Sequence, residues 1–352
     1  MVGTLTTPPA GRLEVGSKAG RYRRGMRVVR MGVLGASRVA PEALFGPARA
    51  VPEVEVVAVA ARDPERARRY AARHGVPGVR PGYQALLEDA GVDAVYIALP
   101  NAAHAEWTLR ALEAGKHVLC EKPLAANARQ AEEVAAAARR TGLVVMEGMH
   151  YRHHPLAERM RVLAREALGP IIHVETANCW PVPRFDGVLY DYGLGGGATM
   201  IAGCYAIDCL RLVGPGEPVV TGARALLRGP GVDRAMTGEC VFPGGATGRF
   251  RCSLWSAARP SISVRVTGER GELRVSGYLM PQVFHRLVLR AGGETRRERV
   301  PGEPTYLAQL RAFAAAVLSH GRVRTGPENA AATLRLIDGF YRHSGLRPRG
   351  LG

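Results

Sequence analysis

Val28-Val29-Arg30-Met31-Gly32-Val33-Leu34-Gly35-Ala36-Ser37-Arg38-Val39-Ala40 reads as a buried strand, a tight turn and the start of a helix. Residues 28–34 are largely aliphatic, Gly35 permits the bend, and Ala40 is small enough for the helix to lie close to the sheet. The turn has the pattern of a dinucleotide fingerprint with Ser37 at its middle position in place of glycine. A side chain there hinders backbone approach to a pyrophosphate, while its hydroxyl can offer a hydrogen bond in return. Gly35, Ala36, Ser37, Arg38 and Val39 are the candidate phosphate-binding residues.

Outward from this stretch the chain alternates strand and helix. Residues 55–60 form a second apolar strand, after which Asp63 caps a charged helix that has Pro64 in its first position. Residues 93–99 form a strand ending at Pro100-Asn101, and 104–114 the next helix. A strand at 116–120, an alanine-rich helix at 125–140 and a strand at 143–146 complete the series. Repeated βαβ units of this length mean a mostly parallel sheet, so residues 27–150 are expected to form an α/β Rossmann domain.

The 352-residue chain exceeds the size at which one core stops growing. After residue 150 the periodicity changes to partial alternation at 171–177, 222–227, 234–242, 246–253, 261–267 and 272–275. An edge hairpin follows at 283–289 and 294–300, and helices at 305–319 and 328–342 close the pattern. The expectation for 151–345 is an α+β domain with a large, mainly antiparallel open sheet, its last helix covering apolar surface near the domain boundary. Residues 1–26, with the run Arg21-Tyr22-Arg23-Arg24, read as a disordered basic arm without the apolar core of a signal peptide.

Composition excludes several classes. The formal charge of +17 comes mainly from arginines scattered through helices among glutamates, with no basic stripe interleaved with aromatics, so no nucleic-acid partner is expected. No stretch is long and apolar enough to span a membrane. The six cysteines show no CxxC pair, which fits buried thiols in a reducing, cytoplasmic setting, and no histidine cluster has metal-ligand spacing.

Parallel sheets place their chemistry beyond the carboxyl ends of the strands. Glu121-Lys122-Pro123 stands there directly after the strand at 116–120. Lys122 is the leading catalytic and substrate-binding candidate, since a cation at that place can polarise a carbonyl or hold a hydroxyl proton where hydride moves. Glu121 is expected to position a nicotinamide ribose or Lys122. Leu99, Asn101 and His104 follow another strand end and are assigned to the same cofactor crevice, with a packing role for His104 as the alternative.

In the second half, Gly195-Gly196-Gly197 precedes a helix that puts Ile201, Tyr205 and Asp208 on one face. Tyr205 can act as acid or base if a nearby cation lowers its pKa. Asp208 and Arg152 join Lys122 and Tyr205 as substrate-binding candidates. Cofactor choice rests on the end of the second strand, where Arg62 can pair with the extra phosphate of NADP; with Asp63 engaged as a helix cap, NADP is favoured over NAD.

Together these stretches resemble the Gfo/Idh/MocA oxidoreductases, over about residues 27–345. The likeness rests on 32–40, 83–87, 99–104, 115–123, 146–155 and 195–208. It implies a Rossmann domain paired with an α/β domain whose open sheet often mediates dimerisation. It also implies NAD- or NADP-dependent hydride transfer on sugars, polyols, dihydrodiols and related hydroxyl or carbonyl substrates. By that resemblance Lys122 is the catalytic lysine. Tyr205 stands where many members have histidine and where the dihydrodiol dehydrogenase and 1,5-anhydrofructose reductase branch has tyrosine. Ile201 replaces an aspartate found in many members, which removes a carboxylate from any proton relay at that position. The expected function is therefore an NADP-preferring homodimeric dehydrogenase or reductase of carbohydrate metabolism. The alternatives are a catalytically degenerate cofactor-binding or sensory protein and a redox-neutral sugar-modifying enzyme.

Overall fold

The computed structural model describes residues 27–182, 187–256, 259–319, 321 and 323–351, so the arm expected at 1–26 lies outside the described residues. The first part begins with β1 (Val29–Leu34), a π-helical turn at Pro41–Phe45, α1 (Gly46–Ala48), β2 (Val54–Ala60) and α2 (Pro64–His74). It continues through β3 (Gly78–Arg80), α3 (Tyr83–Leu87), β4 (Ala94–Ile97), α4 (Asn101–Glu113), β5 (His117–Cys120), α5 (Ala128–Thr141) and β6 (Val145–Glu147). The six strands are all parallel and lie in the order β3-β2-β1-β4-β5-β6. The strand order reverses between β1 and β4, which opens a crevice beyond their carboxyl ends.

Local chemistry explains most of these boundaries. The Asp63 carboxylate accepts from the Glu65 amide and Pro64 is the first residue of α2, a cap worth about 1 kcal/mol. The helix expected at 104–114 starts at Asn101, because Pro100 takes the extended cap conformation. The sequence reading did not separate β3 and α3, whose three and five residues are too short to show a period.

The second part holds α6 (Pro155–Glu166), β7 (Ile171–Cys179), α7 (Cys204–Val213), β8 (Val219–Gly229), β9 (Val232–Val241) and β10 (Thr247–Ser253). Then follow β11 (Ser261–Gly268), β12 (Gly271–Ser276), β13 (Arg286–Ala291), β14 (Glu294–Glu298), α8 (Thr305–Ser319) and α9 (Pro327–His343). The eight strands lie in the order β14-β13-β12-β11-β7-β10-β9-β8, antiparallel except for the parallel β7–β10 pair. The hairpin expected at the edge is β13–β14. Helix α6 was not foreseen; it begins at Pro155, with a ring nitrogen of His154 accepting from the Leu156 amide.

Two packing assignments were not fixed by the sequence. Helix α8, read as part of the second unit, packs on the first sheet: Leu310, Phe313, Ala314 and Val317 share a core with Val29, Met31 and Val33. Its pattern specified a helix but not the layer that buries it. The apolar positions of β10 and β11 suit either a partner-covered outer face or the core of their own domain. Phe250, Cys252, Val264 and Val266 point into the core, and the outer face carries exposed Arg249, Arg251, Arg265 and Arg274. Helix α7 packs on the inner face against β7, β10 and β11, while α9 lies between α5 and β8.

Candidate active site

The loop after β1 is built as an anion cradle. Gly35 has φ +107°, and a Cβ there would stand 2.8 Å from the Ala98 carbonyl oxygen, so only glycine fits. Arg66 donates to the Ala36 carbonyl at 2.8 Å and the Tyr70 hydroxyl to the Ser37 carbonyl at 2.7 Å. In a planar trans peptide the N–H points opposite to the C=O, so the Ser37 and Arg38 amides face away from α2. Neither amide donates a hydrogen bond among the described residues. Two unpartnered N–H groups beside a glycine turn match the phosphates of a dinucleotide. The Ser37 hydroxyl accepts from the Ala40 amide at 3.2 Å and so caps the helical turn that follows.

Arg62 is exposed at the end of β2, and its side chain pairs with no carboxylate among the described residues. Asp63 is turned to its own helix, as the cap assignment requires.

Lys122 and Tyr205 meet between the two sheets. The Lys122 ammonium donates to the Ile201 carbonyl at 2.8 Å and lies 4.8 Å from the centre of the Tyr205 ring. Because the lysine is held by the backbone of Ile201, an isoleucine side chain there costs the site none of this contact. Tyr205 is 7% exposed, packs edge-on against His150 at 5.5 Å, and its hydroxyl makes no hydrogen bond among the described residues. Burial pushes its phenol well above the ordinary 10.0, with Tyr306 and Glu121 adding to the rise. That corrects the expectation of a cation-lowered phenol: the ammonium sits over the ring and forms no hydrogen bond with the oxygen.

Several expected contacts are supporting ones instead. His104 is fully buried, its ring nitrogens 2.7 Å from the Pro123 carbonyl and 2.8 Å from the Leu99 carbonyl, and burial lowers its pKa. It ties the β4 and β5 ends together and has no surface for a cofactor. Asn101 is 6% exposed and donates to the Gly195 carbonyl at 2.9 Å, bridging α4 to the glycine loop. The Glu121 carboxylate accepts from the Tyr96 hydroxyl at 2.7 Å, and burial raises its pKa.

Asp208 has no exposed surface, so its placement as a substrate ligand is corrected. It accepts hydrogen bonds from Tyr151, from Arg152 at 3.2 Å and from Asn329 at 3.0 Å. Burial alone would raise its pKa, but Arg152 and Arg211 together with the bonds from Tyr151 and Asn329 hold it low. Arg152, with its side chain 16% exposed, is oriented by this pair and keeps little surface for a ligand.

Sequence reasoning missed Glu147, Tyr96, His150 and Tyr306. Glu147 ends β6, 1% exposed; one oxygen accepts from the Leu124 amide at 3.0 Å, and burial followed by Asp208 lifts its pKa to about 8. The strand-end rule that selected Glu121 would have selected it too. Among the described residues no cluster of three or more His, Cys, Asp or Glu could hold a metal.

Comparison with known proteins decides the family. Residues 29–149 match the profile described as an oxidoreductase family with an NAD-binding Rossmann fold, and 158–274 match the GFO/IDH/MocA C-terminal domain. The D-xylose 1-dehydrogenase (NADP(+)) 2 of Haloferax volcanii is 33% identical over 311 residues, covering 88% of this chain and 95% of its own. The chain belongs to the Gfo/Idh/MocA oxidoreductase family. Within the family, the trans-1,2-dihydrobenzene-1,2-diol dehydrogenase of Sus scrofa is 35% identical over 228 residues, covering 63% of this chain and 66% of its own. A 3-ketoreductase of Actinomadura kijaniata, solved with NADP and TDP-benzene, superposes with a TM-score of 0.83 at 30% identity, covering 91% of this chain and 98% of its own.

Proposed function

We propose that this Gfo/Idh/MocA oxidoreductase moves hydride between NADP and a carbon bearing a hydroxyl or carbonyl in a sugar, polyol or dihydrodiol. The observation that carries the reading is the Lys122 ammonium, fixed 2.8 Å from the Ile201 carbonyl and 4.8 Å from the Tyr205 ring, on the loop just past the carboxyl end of β5. The xylose dehydrogenase and the ketoreductase with their named cofactor support NADP and a carbohydrate-like substrate.

When bound, the nicotinamide supplies or accepts the hydride. The Ser37 and Arg38 amides would hold its phosphates, and Glu121 would orient the ribose or Lys122. Lys122 stabilises the negative charge that develops on the substrate oxygen. Tyr205, kept protonated by burial, gives that oxygen its proton in the reductive direction. The test is nicotinamide absorbance with aldoses, ketoses, polyols and trans-dihydrodiols in both directions. Turnover with NADP(H) is expected, whereas tight cofactor binding without turnover on the whole panel would favour a binding or sensory protein.

Arg62 reads the NADP phosphate in this account. Arg62→Ala should weaken NADP binding on the order of tenfold to a hundredfold, the loss of a charged bidentate hydrogen bond, and leave NAD binding little changed. Titration of nicotinamide fluorescence checks this; equal losses for NADPH and NADH would refute the assignment.

We further propose a cytoplasmic homodimer formed through the outer face of the eight-stranded sheet. The six cysteines are unpaired and buried, which suits a reducing compartment. Strand register sets Glu239, Arg249, Glu175, Arg265 and Arg274 in one row across the face, with Glu272 paired to both Arg265 and Arg274. The signs largely alternate, and the neighbouring row holds only small Thr237, Ala177, Ser263 and Ser276 beside Arg251. Such a row is self-complementary about a twofold axis. Its dimer should loosen as salt rises from about 0.05 to 1 M. Sedimentation velocity at several protein concentrations reads this, and a monomer at every concentration in low salt would remove the dimer.

A further inference from the structure

Arg349 is the largest fully buried side chain of the described residues, and it lies outside the Lys122–Tyr205 pair. Its guanidinium fork donates to the Gly196 carbonyl at 2.8 Å through Nε and to the Asp233 carboxylate at 3.0 Å through Nη2. It lies between two tyrosines, 4.8 Å from the Tyr192 ring and 4.3 Å from Tyr341. Asp233 in turn accepts from the Thr199 amide and hydroxyl, each at 2.7 Å, and from the Tyr341 hydroxyl at 3.0 Å. Gly197, at φ +122°, rests directly on the pair, where a Cβ would come 2.2 Å from the carboxylate.

Thr199 begins the π-helical turn Thr199–Gly203 that runs into α7. Two residues on, Ile201 holds the Lys122 ammonium, and Tyr205 follows one turn later. The segment around Arg349 also reaches the first sheet's helices. Its carbonyl accepts from Asn127 at 2.8 Å, and Asn127 caps α5, the helix after the Glu121-Lys122-Pro123 loop. One residue therefore joins the two sides: its guanidinium braces the entry of the Tyr205 helix, and its backbone carbonyl binds the cap of the helix that follows the Lys122 loop.

We propose that Arg349 is a positioning residue of the hydride-transfer site, acting through Asp233 and Thr199 to fix the Ile201 carbonyl and hence the Lys122 ammonium against Tyr205. The proposal rests on the function above. A guanidinium suits the task because its rigid planar fork fixes the geometry between the carbonyl and the carboxylate, whereas an ammonium is a rotatable point donor that leaves that geometry free. A buried ion pair is a poor way to add stability, so its presence here fits a demand for geometry.

Arg349→Lys keeps charge and stem while losing the fork. It should fold, bind NADPH with unchanged affinity, and lose kcat on the order of tenfold to a hundredfold, the effect of a small misplacement of reacting groups, with little change in KM. Arg349→Ala, if it folds, should show the same loss and recover saturably with added guanidinium chloride at millimolar concentration. Hydrogen exchange of the 199–204 amides, read by mass spectrometry, should quicken in Arg349→Lys. Wild-type kcat in folded Arg349→Lys, or a kcat loss matching the unfolded fraction, would overturn the proposal. Faster exchange with normal kcat would leave Arg349 a purely structural residue and overturn it too. A wild-type protein without turnover on any substrate would instead sink the functional reading beneath it.

Discussion

Lys122→Ala is expected to lower kcat by about a thousandfold, the effect of losing a preorganised donor at a developing oxyanion together with its control of proton transfer. NADP affinity should hold within several-fold, because the proposed phosphate ligands, the loop after β1 and Arg62, lie on other elements. The fold should hold as well. Lys122 is only partly buried, and among the described residues its ammonium makes a single hydrogen bond, to the Ile201 carbonyl, which water at the cleft can replace. Steady-state rates and nicotinamide fluorescence titration on the same preparation separate the two effects. A variant with wild-type turnover would remove Lys122 from the chemistry; one that turns over normally at saturation but binds NADP poorly would make it a cofactor ligand only.

Tyr205→Phe is the second large effect, about a hundredfold on kcat in reduction. The ring keeps its contacts with His150 and Tyr151, and the lost hydroxyl had no hydrogen bond among the described residues, so the melting temperature should stay close to that of the wild type. The pH dependence follows from the direction of the shift. An acid whose pKa lies above the ordinary 10.0 stays protonated through neutrality, so the Tyr205 contribution to carbonyl reduction should be flat from about pH 6 to 9. Alcohol oxidation needs the phenolate and should climb with pH over the same range, and Tyr205→Phe should lose that climb. A reduction rate that falls through neutral pH in the wild type and not in Tyr205→Phe would show a lowered phenol and reverse the argument.

The parts of this molecule that depend on near neighbours in the chain were legible in its sequence. Gly35, the Asp63 cap with Pro64, and Lys122 after an apolar strand each announce themselves within a few residues, and the structure sets them at the crevice or beside it. What the sequence hid is long-range. The carbonyl that holds Lys122 comes from Ile201, 79 positions away, and any residue type would provide it. Asn101 and His104 were rightly placed at a strand end, but their partners, Gly195 on one side and Pro123 and Leu99 on the other, turn them from cofactor ligands into braces. Asp208 shares a helix face with Tyr205 as its spacing indicates, yet Tyr151, Arg152 and Asn329 converge on it and close it off. Alternation in β10 and β11 marked an apolar side without saying that the helices, rather than a partner, cover it.

The central claim is hydride transfer at the Lys122–Tyr205 centre, and isotope transfer tests it most directly. NADPH carrying deuterium at the transferable C4 position would be incubated with a panel of ketoses, aldoses and diketones, and the products examined by mass spectrometry. The account predicts one deuterium on the new carbinol carbon with the wild type, greatly slowed in Lys122→Ala. Bound NADPH with no deuterium transferred to any member of the panel would contradict it.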